Sequence, residues 1–285
     1  MLSLRSDQPI NPLVLLVMRE VDRVAKELGV AYFVAGAMAR DILLTNVFGI
    51  AAERATRDID FAVAVENWPQ FEDIKKLLTA GGMFEAAPKA AQRLYYKAQP
   101  NSQGTPLDII PFRGVEQSQN TISWPPEMAV IMNVAGYEDA LSAALLVEVE
   151  PGFSVHVVSL PGLTLLKLFA WADRGAENPK DALDLVTLFR RYADAGNQDR
   201  LYGEEIRLFE SVGFDQDLAS PRLLARDVCR IATPKTLAQV HALLCEPSTA
   251  DSLVAHMSQG LMGNNDPVAA AQQLLDQFQA GLAER

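Results

Sequence analysis

The sequence predicts an α+β protein, with an N-terminal α/β lobe on a mixed sheet over residues 1–158 and a mostly helical lobe over 159–285. Three observations lead there. In the first part of the chain, apolar residues recur alternately at helical and at strand spacing. Glycines and polar clusters punctuate these runs where turns are needed. From Pro161 onward the strand-like text stops and helical periodicity takes over. A chain of 285 residues lies between one large domain and two ordinary ones, and 49% hydrophobic residues can build a sizeable core.

Each element follows from its pattern. Residues 11–28 place Leu13, Leu16, Val17, Val21, Val24 and Leu28 at helical spacing, and Gly29 ends the helix. "AYFVAG" is a short strand stopped at Gly36, and residues 37–48 read as one further helix. "RATRDIDFAV", residues 54–63, leads into a second strand. "WPQFEDIKKLLTAGG" is a helix closed by Gly81 and Gly82, while "RLYYKA" and "PLDIIPF" are β-rich runs around the turn-forming "QPNSQG". After a Pro, Ser and Asn loop near residue 120, "LLVEVEPGFSVHVVS" forms a second hairpin about Pro151 and Gly152. Helices starting at Pro161 and at Pro179 use proline where a first turn tolerates it. "DPVAAAQQLLDQFQAGLAER" is an amphipathic packing helix.

Composition narrows the classes. No apolar stretch approaches the roughly 20 residues of a membrane span, and no basic segment introduces a cleavable signal, so the reading is a cytoplasmic protein without a membrane partner. Two cysteines, Cys229 and Cys245, cannot build a disulfide framework, and His241 with Cys245 is too common a helical pairing to indicate metal. The net charge of −11 repels nucleic acid, so an RNA substrate would need a local basic groove.

Within "RATRDIDFAV" two acids stand one residue apart. On a strand, residues i and i+2 share a face, so Asp58 and Asp60 point one way while Ile59, Phe61, Val63 and Val65 point the other. Two carboxylates this close repel, and a divalent cation relieves the repulsion. Oxygen ligands suit Mg²⁺, which bridges to phosphates. The plain alternative is an acidic strand end in water. Asp108, inside a strand able to neighbour the first, supplies a third carboxylate, and three could hold two metal ions roughly 3.5–4 Å apart. Gly36, at a strand-to-helix turn, lets a phosphate approach backbone N–H groups.

A glycine turn, a DxD strand and a third Asp on a later strand together resemble the nucleotidyltransferase superfamily that includes DNA polymerase beta. Within it the R-x-T-x-D-I-D run of Arg54, Thr56, Asp58, Ile59 and Asp60 resembles the AbiEii/AbiGii branch, the toxin half of type IV toxin–antitoxin systems. "LLKLFAWADRGAENPKDALDL" is similar to that branch's Lys motif followed by its K/R-D-x-x-D motif. The resemblance spans about residues 30–190, with no motif beyond Tyr192. The chain departs from the pattern at Ala35-Gly36-Ala37, where relatives commonly carry Gly-Gly or Gly-Ser.

The resemblance implies an enzyme that moves an NMP from an NTP to an acceptor hydroxyl, with Mg²⁺ or Mn²⁺ held by Asp58, Asp60 and Asp108. Asp108 would also help deprotonate the hydroxyl. Lys167 would contact the triphosphate and Asp181 would act at the catalytic centre, with Asp184 one helical turn further on. Gly36, Ala37, Arg40, Arg54, Thr56, Lys167 and Asp184 make up the expected nucleotide-binding set. Each has a plainer reading: Arg40 and Asp41 as the wet face of a helix, Arg54 and Arg57 as local counter-charges, Lys167 as a snorkelling residue, Asp181 as a first-turn acid that compensates the helix dipole. Trp68, Trp124 and Trp171 read as core or boundary aromatics. The implied acceptor is tRNA or a protein, the implied partner an antitoxin, and a groove between the lobes is the expected acceptor site. Rival readings are a small-molecule nucleotidyltransferase of the aminoglycoside type and a non-catalytic nucleotide-binding regulator.

Overall fold

The computed structural model describes residues 1–51, 58–99 and 104–284, and the chain divides into two compact units, Met1–Val158 and Ser159–Arg285.

In the first unit, the strands β1 (Leu2–Ser3), β2 (Ala31–Ala35), β3 (Ile59–Val65), β4 (Phe84–Ala86), β5 (Arg93–Tyr96) and β6 (Thr105–Arg113) join one sheet with a later pair. A small separate hairpin is formed by β7 (Thr121–Ser123) and β8 (Ile131–Asn133), inside what the sequence presents as a loop. The later pair is β9 (Leu145–Glu150) and β10 (Phe153–Val157), which turns at Pro151 and Gly152. The order across the main sheet is β1-β9-β10-β2-β3-β6-β5-β4. It is mixed: β2 runs antiparallel to β3, β3 parallel to β6, and β6 antiparallel to β5.

The central strands are apolar on both faces over most of their length. Ile59, Phe61 and Val65 are fully buried on one side, as Ala62 is on the other. Only at the N-terminal end of β3 does the second face change character and carry acids.

Helix α1 (Pro12–Leu28) starts where the Asn11 side chain accepts from Leu13 N–H, and it buries Val17, Met18, Val21 and Val24. Helix α2 (Gly36–Asp41) is shorter than the spacing predicts, because Ile42–Val47 continues as a π-helix. Three consecutive residues there, Ile42, Leu43 and Leu44, are all buried, which a period of 3.6 residues cannot place in one narrow stripe. Helix α3 (Trp68–Ala80) is capped by Asn67, which accepts from Gln70 N–H, and α4 (Tyr137–Ser142) completes this unit. Trp68 and Trp124 pack against Phe71 with ring centroids 5.8 Å away in each case, so both serve the core.

The second unit is helical among its described residues: α5 (Leu160–Arg174), α6 (Lys180–Arg191), α7 (Gln198–Tyr202), α8 (Ile206–Ser211), α9 (Gln216–Ile231), α10 (Pro234–Cys245), α11 (Pro247–Ser258) and α12 (Pro267–Ala283). Helices α9 and α12 pack closely. A Cβ at Gly281 would lie 2.3 Å from the Arg222 carbonyl oxygen, so glycine is what allows the backbones to approach. Phe189 stacks on Phe278 at 4.6 Å to tie α6 to α12, and Trp171 Nε1 donates to His256 Nδ1 across 3.0 Å. Among the described residues no helix is long and apolar enough to cross a membrane.

Candidate active site

Register builds the site. Ala35 on β2 pairs with Asp60 on β3, Asp60 pairs with Asp108 on β6, and Asp108 pairs with Arg93 on β5. Residues directly opposite on neighbouring strands share a face, and strands lie about 4.8 Å apart, so these four positions form one row across the sheet. Asp58, two residues before Asp60, stands on the same face just beyond the strand end. Its side chain is 50% exposed, against 13% for Asp108.

The row contains a residue that no sequence motif marks, Arg93. Arg93 Nε and Nη2 donate to Asp108 Oδ1 and Oδ2, each at 2.7 Å, in a two-pronged ion pair. The same Nη2 lies 3.8 Å from Asp58 Oδ2. Those two carboxylate oxygens can therefore be no further apart than the two distances combined. Asp58 and Asp108 are neighbours, with a guanidinium between them. The hydrogen bonds it donates to Asp108 hold Arg93 above its ordinary pKa; burial opposes this, and the charges of Asp108 and Asp58 reinforce it.

Three of the expected site residues are engaged by protein neighbours. Asp108 is not an open ligand, since both oxygens accept from Arg93, and among the described residues no group of three or more His, Cys, Asp or Glu side chains gathers in a metal-binding arrangement. Gly36 adopts φ +64°, and a Cβ on it would lie 1.9 Å from Asp60 Oδ2. The glycine is thus explained by the approach of Asp60, without a phosphate beside it. Ala37 follows it in the first turn of α2. Arg40 is not on a wet face: its side chain is 5% exposed, and it donates to Asp41 Oδ1 from Nε at 2.8 Å and from Nη2 at 2.6 Å.

A cleft of about 340 Å³ in this unit is lined by Ile10 and Val14 near the start of α1, Met38 and Asp41 of α2, and Thr105 and Pro106 of β6, and its described lining does not include Asp58, Asp60, Asp108 or Arg93. Arg54, Thr56 and the neighbouring Arg57 lie outside the described residues.

In the second unit Lys167, Asp181 and Asp184 come together, but buried. Lys167 Nζ donates to Asp181 Oδ1 at 2.9 Å and lies 2.6 Å from Asp184 Oδ2, while Arg174 Nε donates to Asp181 Oδ2 at 2.8 Å. The Asp181 side chain is 1% exposed and that of Asp184 2%. Burial alone would lower the Lys167 pKa, yet the charges of Asp184 and Asp181 outweigh it and raise it. Burial would likewise raise Asp181, and Lys167 with Arg174 pulls it below the usual carboxylate range. This lysine is buried in ion pairs and does not snorkel to the surface. It closes a balanced set of two acids and two cations.

A mixed sheet whose strand-end DxD lies beside a glycine turn, with a third Asp on the adjoining parallel strand, is the framework of a nucleotidyltransferase. Residues 24–266 match the family described as "Nucleotidyl transferase AbiEii toxin, Type IV TA system", and the chain belongs to that family. It is therefore a nucleotidyltransferase. No curated protein sequence matches. Among solved structures, the chain is similar to the antibiotic-resistance factor ANT(2'')-Ia at 12% identity and TM-score 0.36, covering 72% of this chain and 100% of that one. It is also similar to a CCA-adding enzyme in complex with ATP, at 17% identity and TM-score 0.33, covering 94% of this chain and 67% of that one. A Thermotoga maritima CCA-adding enzyme complexed with tRNA shows 12% identity and TM-score 0.29, covering 97% of this chain and 83% of that one.

Proposed function

We propose that the chain transfers a nucleoside monophosphate from an NTP to an acceptor hydroxyl on a macromolecule, as the toxin of a type IV toxin–antitoxin pair with a cognate antitoxin. The observation that carries this reading is the carboxylate row of Asp58, Asp60 and Asp108 on one sheet face, at the site's exposed edge. Asp58 and Asp60 offer only carboxylate oxygens on one side of a strand, a donor set that fits Mg²⁺ or Mn²⁺. When bound there, a divalent ion would offset phosphate charge and favour ionisation of an attacking hydroxyl. Asp60 is positioned for this by its seat against Gly36. Lys167, Asp181 and Asp184 support the fold of the second unit in this account, and nucleotide binding does not depend on them.

A net charge of −11 opposes approach to RNA over most of the surface, so a protein hydroxyl is the acceptor least resisted by long-range electrostatics. The test is to incubate the protein with Mg²⁺ or Mn²⁺ and each α-labelled NTP in the presence of total tRNA, lysate protein or aminoglycosides. Label on protein is the expected result. Label on tRNA ends would move the acceptor to RNA, label on aminoglycosides would replace the toxin reading by a small-molecule one, and binding without label in any fraction would sink the transfer proposal.

A further inference from the structure

Arg93 stands where the acid row most needs positive charge. Its strand, β5, pairs antiparallel with β6, and the register sets it opposite Asp108, which is itself opposite Asp60. The guanidinium spends Nε and Nη2 on the two oxygens of Asp108 and reaches toward Asp58 as well. A carboxylate has about four acceptor sites, so two remain on Asp108 after this ion pair. A second cation placed on those sites would still face a full positive charge at hydrogen-bond distance, and like charges that close repel strongly. The Arg93 side chain is 29% exposed, so the guanidinium has a path into solvent when its partner is taken.

We propose that Arg93 and a divalent cation are alternative partners of Asp108: the arginine holds Asp108 in the metal-free protein and releases it when the ion loads. Released, its planar fork suits the phosphate oxygens that arrive with the ion. This rests on the reading of Asp58 and Asp60 as a cation site. It adds that Asp108 joins them only at the arginine's expense, and that Arg93 sets how readily the site fills.

The experiment is a Mn²⁺ titration of the full chain without nucleotide, followed by calorimetry or by the paramagnetic signal of the free ion. Arg93→Gln is expected to bind Mn²⁺ about tenfold more tightly than wild type. In an Asp108→Asn background the same substitution is expected to give a smaller gain, about threefold, because the contested oxygens are gone and only the charge of the guanidinium near Asp58 is removed. A gain of equal size in both backgrounds would reduce Arg93 to a through-space charge and overturn the proposal, as would no gain in either. Arg93→Lys keeps the charge but loses the two-pronged grip, and a gain of about threefold is expected; unchanged affinity there also overturns the proposal, and this variant carries the test if Arg93→Gln fails to fold. Wild type and every Arg93 variant failing to bind Mn²⁺ at millimolar concentration would overturn the cation reading of Asp58 and Asp60 together with the proposal. Wild-type binding that the Arg93 substitutions leave unchanged would remove the arginine's role alone.

Discussion

Each unit of the molecule holds a cluster of acids with cations set against them, and the two clusters differ in balance and in burial. In the first unit Asp58 and Asp108 share Arg93, Asp60 stands opposite Asp108 in the register, and Asp58 is half exposed. In the second, Asp181 and Asp184 meet Lys167 and Arg174, with both carboxylates almost wholly buried. A balanced buried set satisfies itself and resists any change in either partner. A half-exposed carboxylate such as Asp58 can be reached by an incoming cation without displacing packed neighbours. Residue type alone does not separate structural from chemical acids; the surroundings do.

The sharpest way to break this comparison is to remove one charged side chain from each unit. Asp60→Asn in the first is expected to lower nucleotidyl transfer at least about a hundredfold, the scale of losing a preorganised charge at a reacting phosphate, with the melting temperature little changed. Lys167→Met in the second strands two buried carboxylates against Arg174 alone, and a loss of about 3–5 kcal/mol in urea unfolding is expected. If Lys167→Met instead left stability intact and removed transfer, the lysine would belong to the chemistry.

Gly36→Ala tests how the first cluster is seated. The substitution strains a backbone at φ +64° and drives a methyl into Asp60 Oδ2, so a stability cost of about 1–3 kcal/mol is expected, together with weaker Mn²⁺ binding. The smallest effect concerns acid. The Asp181 pKa is depressed in the folded state, so its contribution is present above the unfolded value of 3.8 and is lost as pH falls through the folded one. Urea midpoints should therefore decline below about pH 4, by at most about 1.4 kcal/mol per pH unit for this one proton, and Asp181→Asn should flatten that limb.

The sequence shows one half of the site more clearly than the other. Asp58 and Asp60 are legible because the strand period of two puts them on one face regardless of what β3 pairs with. Asp108 is legible as a carboxylate on a strand, though its engagement is not. Arg93 looks like any strand-edge cation, because its place opposite Asp108 depends on the β5–β6 register, which no local pattern encodes. Lys167 shows the same limit from the other side: its partner Asp181 lies fourteen residues on, and only the packing of α5 against α6 brings them together. The helix after Gly36 was readable as helical but not as a π-turn, since the three adjacent apolar residues fit either geometry until burial is known.

Where a metal–nucleotide complex binds is tested most directly by the shift in unfolding midpoint on adding saturating Mg²⁺ with a mixture of the four NTPs. Wild type should be stabilised, by an amount that grows with ligand concentration as mass action requires, whereas an Asp58→Asn, Asp60→Asn double variant should show no shift. An equal shift in both proteins would contradict the assignment of this carboxylate row as the nucleotide site.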